Sequence, residues 1–375
     1  MSPTPIRVAY LASALGGPGG IPRFTRELMV ALDARDDVVL VPIVPEHALD
    51  LLGSLSLRNA RPPLVIGGRG QVGGSLWERY RLGSILERAG VDVVHGVKHL
   101  VPRTSLPTVL TVHDVMAITW PQQFGFPKRA LLPRQYLASM RSATVLVAVS
   151  EATRARIGQV DAALVDKTVV VGEGVGSGIL AATPEPVPAL EGRDFALVVG
   201  DLSPRKNIGV LLDVWPEVHR ATGLVLAAVA WEAWHSDETR ARLEALAAQG
   251  RAVWVRGASD AELRWCYEHT RVVLAPSLEE GYGLPVVEAL AFGARVVASD
   301  DAALVEVGRG RTVHVPGHDR GGWEDAVKSA ARMPIDTGSA APLPPESWAD
   351  AAAGTVEAYE RARRAASGGG VGVAR

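Results

Sequence analysis

Short runs of apolar, largely β-branched residues alternate along this chain with stretches in which apolar positions recur every three or four residues. That alternation belongs to a parallel sheet with helices on both faces, because buried parallel strands read as continuous apolar runs and the crossovers between them as amphipathic helices. In the first half, strands are expected at 6–11 (IRVAYL), 38–44, 91–95, 107–112, 144–149 and 168–172, with a glycine-rich loop at 16–20 and a helix at 22–33. The second half repeats the grammar, with strands at 195–200, 224–229, 252–255, 271–275 and 295–298 and helices at 207–219, 237–248, 260–268 and 285–292. A proline-rich stretch at 181–193 reads as a linker, and a second one near 342–345 precedes a helical pattern at 347–365. The expected division is a Rossmann-like domain at 1–180, another at 193–346, and a helix at 347–365 that returns to the first. Residues 366–375 (ASGGGVGVAR) read as a disordered tail. Such domains bind ligands at the carboxyl ends of their strands, so a cleft between two facing sheets is the expected site.

The chain of 375 residues fits two domains, and its net charge of −2 excludes a general electrostatic grip on nucleic acid. A single cysteine, Cys266, excludes an intrachain disulfide framework and a multi-thiolate metal site. The longest apolar runs, such as LVLAAVAW at 224–231, are far shorter than the roughly 20 residues that cross a bilayer. With no basic-then-apolar leader at the N-terminus, the expectation is a cytoplasmic protein.

The most informative segment is PSLEEGYGLPVVEALAFG at 276–293. Pro285 suits the first turn of a helix, which places Glu280 in the preceding loop and Glu288 near the end of that first turn. Backbone amides of Gly283 and Leu284, backed by the helix N-terminus, form an anion site. Two carboxylates beside an anion suit an extended ligand with neutral hydroxyls at both ends, such as a sugar and a ribose flanking a diphosphate. In VVGDLSPRKNIGVLLDVW at 198–215, a strand ends at Gly200 and a short loop presents Arg205 and Lys206, cations able to neutralise a departing diphosphate. The loop GGPGGIPRF at 16–24 offers Gly19 and Gly20 for close backbone approach to phosphate. His113 and Asp114 fall at a strand end, and Ser150 reads as a helix cap. His95 and His99 share another strand end and are candidates for acceptor contact together with Asp114. His95 and His99 are four apart but follow a strand and lack the glutamate of a zinc-protease helix, His314 and His318 are interrupted by Pro316 and Gly317, and no D-x-D triplet occurs, so no metal site is expected.

The complete segment 276–293, including the small residues between its glutamates, resembles the signature of glycosyltransferase family 4, retaining enzymes of the GT-B fold. The resemblance implies that Glu280 contacts the transferred sugar, that Glu288 meets the ribose hydroxyls, and that Gly281, Tyr282, Gly283 and Leu284 line the donor. It gives Lys206, with Arg205, the diphosphate, and closes Gly19 and Gly20 over the donor. Residues 109–124 (VLTVHDVMAITWPQQF) are similar to a branch of the family in which His113 contacts the sugar or leaving group. Two departures stand out: Asp201 where many members have arginine, and Gly172–Glu173 where the family carries Pro-Asn. The expected function is retaining transfer from a nucleotide-diphosphate sugar to an acceptor hydroxyl of a polysaccharide, lipid-linked sugar or natural product. It needs no cofactor and no metal, with Lys206, Arg205, Glu280 and His113 as catalytic groups. Two alternatives are a nicotinamide-dependent oxidoreductase, from the strand, glycine loop and helix at 6–33, and a nucleotide-sugar-binding protein without transfer activity. Lys128, Arg129, Arg134 and Arg141 among apolar residues of 126–143 would suit contact with the inner face of a membrane, and equally a solvated or acceptor-lining segment.

Overall fold

The computed structural model describes residues 4–17, 19–66, 78–233, 235–333 and 347–368, with the backbone alone at 78 and 79. The chain forms two compact units: residues 1–174 together with 347–375, and residues 175–346.

The first unit is built on seven parallel strands: β1 (Ile6–Leu11), β2 (Val38–Pro45), β3 (Leu64–Ile66), β4 (Val93–Gly96), β5 (Thr108–Val112), β6 (Val145–Ala148) and β7 (Thr168–Val170), in the order β3-β2-β1-β4-β5-β6-β7. Val8, Val93, Val94 and every residue of β5 are buried, as strands covered on both faces require. Leu110, Tyr136, Leu146 and Ile157 centre one apolar cluster, and Ile43, Leu86 and Val94 another. The helix Gly20–Asp33 is tied to β1 by the Tyr10 hydroxyl, which donates to the Thr25 carbonyl at 3.0 Å. The helix Trp348–Gly368, distant in sequence, packs against Gly20–Asp33 and β6. The expected tail at 366–375 is helical as far as Gly368, and the rest lies outside the described residues.

The second unit holds six parallel strands: β8 (Phe195–Asp201), β9 (Val225–Trp231), β10 (Ala252–Val255), β11 (Val272–Ala275), β12 (Val296–Ser299) and β13 (Thr312–Val315), ordered β10-β9-β8-β11-β12-β13. Its core joins Trp215, Leu226, Leu274 and Trp323, with the helices Ile208–Thr222 and Arg320–Arg332 packed together. In each sheet the chain steps outward from its first strand and then returns to that strand's other side. The reversal lies between β1 and β4 in one unit and between β8 and β11 in the other. A crevice opens beyond the carboxyl ends of strands at such a reversal, and ligands of open α/β sheets bind there.

Strands β3 and β13 have no counterpart among the expected strands. Both are short edge strands with a valine in solvent, Val65 and Val313, so neither produces a long apolar run. The chain passes between units at Gly174–Val175, ahead of the proline-rich stretch at 181–193, which lies within the second unit.

Candidate active site

Beyond the carboxyl end of β8, a single 3-10 turn, Pro204–Lys206, leads into the helix Ile208–Thr222. Asn207 joins the two in the left-handed conformation. Its side-chain amide donates to the carbonyls of Pro276 at 3.0 Å and Gly317 at 2.7 Å, lashing this turn to the loops after β11 and β13. The Leu278 amide completes the lashing by donating to the Arg205 carbonyl at 2.8 Å. At Gly200 an added Cβ would come 3.2 Å from Lys206 Cε, so the absent side chain gives the lysine its path across the strand end.

These constraints bring Arg205, Lys206 and Glu280 together. Lys206 Nζ donates to Glu280 Oε1 at 2.5 Å, Ser277 Oγ donates to the same oxygen at 2.7 Å, and Arg205 Nη1 donates to Oε2 at 2.8 Å. Burial alone would raise the Glu280 carboxyl, but the charges of Lys206 and Arg205 and the hydrogen bonds from Lys206 and Ser277 outweigh it and hold the group at about 2. Arg205 is further held by the Glu279 carbonyl at 3.1 Å and by Asp201 at 3.6 Å. Asp201, the departure from the family pattern, therefore orients the neighbouring cation. Glu279 itself is half-buried in this loop. Lys206, Ser277, Glu280, Gly283 and Pro285 line a small pocket.

Gly283 caps the helix Leu284–Ala291 with φ at 106°, and a Cβ there would lie 2.7 Å from Leu304 Cδ2. Both the backbone conformation and the space exclude a side chain. Pro285 falls in the first turn, as its missing N–H favours. Tyr282 is buried beside it, while Gly281 and Leu284 are half-buried. Glu288 is 1% exposed and accepts a hydrogen bond from the Tyr267 hydroxyl at 2.9 Å. A buried carboxylate of this kind is no solvated helix-face charge.

In the first unit, the loop after β1 reaches Gly19, which has φ at 102° and caps the helix begun by Gly20. His113, just past β5, places Nδ1 3.2 Å from Glu173 Oε1 and Nε2 3.1 Å from the Val97 carbonyl. Ser150 caps its helix by accepting from the Thr153 amide at 3.0 Å.

One expected acceptor contact is corrected. His95 is wholly buried, with Nδ1 2.7 Å from the Tyr359 hydroxyl and Nε2 2.8 Å from Thr111 Oγ1. Desolvation, aided by the charge of His113, lowers it to about 3, so it is a neutral interior hydrogen-bonder. Asp114 uses its carboxylate to accept from the Met116 amide at 2.9 Å, which starts the short helix Met116–Thr119. His99 is half-buried and meets Tyr136 edge to face at 4.8 Å, with burial as the main cause lowering it to about 3.

Asn207, Ser277 and Tyr267 carry no role in the sequence motifs, and Glu173 entered only as a departure from the family pattern. The signal for Asn207 and Ser277 was proximity, since each lies within three positions of a named side chain.

Two parallel-sheet Rossmann-like units, each reversing its strand order beside a ligand-type loop, place the chain in the GT-B class. The family model for glycosyl transferases group 1 matches residues 193–332, and that for glycosyltransferase family 4 matches residues 18–176. The chain belongs to glycosyltransferase family 4. It is 27% identical over 225 residues to O-antigen chain mannosyltransferase B of Escherichia coli, a match covering 57% of this chain and 58% of that protein. Its fold is similar to that of Anabaena Alr3699/HepE, solved in complex with UDP and glucose. There the TM-score is 0.63 and the identity 17%, over 97% of this chain and 99% of the other. WaaG, a glycosyltransferase involved in lipopolysaccharide biosynthesis, is similar with a TM-score of 0.62 and 16% identity, over 98% and 100%. Family membership leaves the oxidoreductase alternative without support.

Proposed function

We propose that this chain is a retaining glycosyltransferase that moves a hexosyl group from a nucleotide-diphosphate sugar to an acceptor hydroxyl. The observation that carries this reading is the cluster of Lys206, Arg205 and Glu280 at the strand reversal of the second unit. Without donor, the Glu280 carboxylate is the anion between the two cations. A diphosphate arriving there takes over the positive charge, and Glu280 turns to accept hydrogen bonds from hydroxyls of the transferred sugar. As the bond between the anomeric carbon and the β-phosphate oxygen breaks, Lys206, Arg205 and the amides at the head of the helix Leu284–Ala291 stabilise the charge left on the diphosphate. The acceptor oxygen bonds to the same face of the anomeric carbon, and its proton leaves on the departing phosphate. No metal enters this scheme, because side-chain cations and backbone N–H groups meet the charge.

The similar Escherichia coli protein carries a mannosyltransferase name, which makes a mannosyl donor the first to assay. Acceptor contact belongs to the first unit. There Phe126 is 79% exposed beside Lys128 and Arg129 at the start of the helix Lys128–Ser142, an apolar and basic edge that supports contact with an anionic surface. Among the described residues no helix is long and apolar enough to cross a membrane.

Thermal unfolding with UDP, GDP, ADP and dTDP, each with and without EDTA, tests the donor site. At 100 times its dissociation constant a ligand adds about 2.7 kcal/mol. Stabilisation by one diphosphate regardless of EDTA, followed by release of that nucleotide and a product of unchanged anomeric configuration, is the expected result. Binding without turnover would leave a nucleotide-sugar-binding protein, and silence from all four would overturn the reading.

A further inference from the structure

Glu173 replaces the asparagine of the resembled pattern, and the first unit shows what it touches. It follows β7 and is buried, its side chain 5% exposed and its Oε1 3.2 Å from His113 Nδ1. On the opposite side of the ring, Nε2 lies 3.1 Å from the Val97 carbonyl oxygen. Phe24, from the helix behind the glycine loop, closes over the ring edge to face, with centroids 4.5 Å apart. Phe24 in turn meets Trp348 at 5.6 Å. At Gly174 an added Cβ would stand 2.7 Å from the Trp348 backbone nitrogen, so the backbone carrying Glu173 sits tight against the helix Trp348–Gly368. His113 is therefore fixed from three directions, and its own carbonyl accepts from Thr153 Oγ1 at 3.4 Å.

With Glu173 ionised, the hydrogen-bond inventory calls for two donors on this ring. A carbonyl oxygen can only accept, and an ionised carboxylate likewise. A neutral imidazole has a single N–H and would turn a lone pair toward one of these two oxygens. We infer that Glu173 is a positioning residue whose carboxylate holds His113 as a two-donor ring, protonated on both nitrogens, that does not serve as a base. The other titratable groups around the ring are His95 and His99, both lowered to about 3 with desolvation as the leading cause, Lys98 and Lys128 on the flanking segments, and Asp114 next in the chain. Glu173 is the acidic group that meets the ring directly. The inference rests on the proposed transfer for its consequence: with His113 saturated, the proton of the acceptor hydroxyl goes to the leaving phosphate and not to a histidine.

Imidazole ¹⁵N spectra of the full chain at neutral pH test the pair without reference to turnover, with His113→Gln assigning the signal. The expected wild-type spectrum shows both His113 nitrogens protonated. In Glu173→Gln, whose amide oxygen can still accept from Nδ1, one nitrogen loses its proton while the thermal midpoint stays near wild type. In the same variant kcat falls about tenfold or more with the donor KM little changed, and Glu173→Asp restores part of it. An unprotonated His113 nitrogen in the wild type, or a ring signal unchanged in Glu173→Gln, would overturn the inference. A wild-type protein that turns over no nucleotide sugar would overturn the proposed reaction, while the spectra still decide the pair.

Discussion

Lys206 Nζ and Glu280 Oε1 stand 2.5 Å apart although 74 positions separate the residues in sequence. They meet because β8 and β11 are neighbours in the sheet, and each residue rides the loop that leaves its strand. The pairing makes Lys206 a cation already aimed at the place an anion would occupy. Replacing it with alanine is expected to lower kcat by about 10²–10³-fold, since one preorganised electrostatic contact to a developing charge is worth that much. Circular dichroism and the thermal midpoint check that the fold persists, and turnover within a few-fold of wild type would remove Lys206 from the reaction.

Glu280 makes a pH-dependent contribution of defined sign. Its folded value of about 2 lies below the roughly 4.3 of a free glutamate, so the ionised form stabilises the native state. That contribution is complete above pH of about 5 and is lost as pH falls from about 4.3 toward 2. Glu280→Gln is expected to unfold more easily at neutral pH, by on the order of 3 kcal/mol. The gap between variant and wild-type midpoints should close across that acid window, and a gap independent of pH would contradict the ion cluster.

Gly283→Ala tests the entry to the helix Leu284–Ala291. The new methyl would meet Leu304 in a left-handed backbone conformation, costing about 2 kcal/mol and lowering the second unit's thermal midpoint by roughly 5 °C. Nucleotide affinity should fall with it, because the same residue sets the direction of the helix N-terminus. Differential scanning calorimetry and nucleotide titration read the two effects separately.

Tyr267→Phe removes the hydroxyl that donates to Glu288. Loss of a hydrogen bond to a buried carboxylate costs about 1–3 kcal/mol. Weaker nucleoside diphosphate binding with an unchanged sugar preference would tie Glu288 to the ribose end of the donor. Unaltered nucleotide affinity would confine Glu288 to the interior.

How much of this was visible in the sequence depends on whether a feature is local. The central strands announce themselves as apolar runs, and the helix Asp237–Ala248 matches its expected range, because burial on two faces and helical periodicity are both written in consecutive residues. Segment 276–293 was legible for the same reason. Strand β13, a TVHV edge with Val313 in solvent, leaves no such trace. The partners of the motif residues were equally hidden: Tyr267 reaches Glu288 and Glu173 reaches His113 through the stacking order of strands, which no short window contains. His95 shows the converse error. Its place at a strand end suggested a ligand, but Tyr359, which fills its other side, comes from the far end of the chain.

The helix Trp348–Gly368 gives the first unit a discontinuous origin. During vectorial synthesis the second unit, a single uninterrupted stretch, emerges whole and can collapse as it leaves the ribosome. The earlier-made strands must meanwhile wait for the last helix to supply Tyr359 to His95 and Trp348 to Phe24. Birth order and completion order are thus reversed: the half that is translated first is finished last.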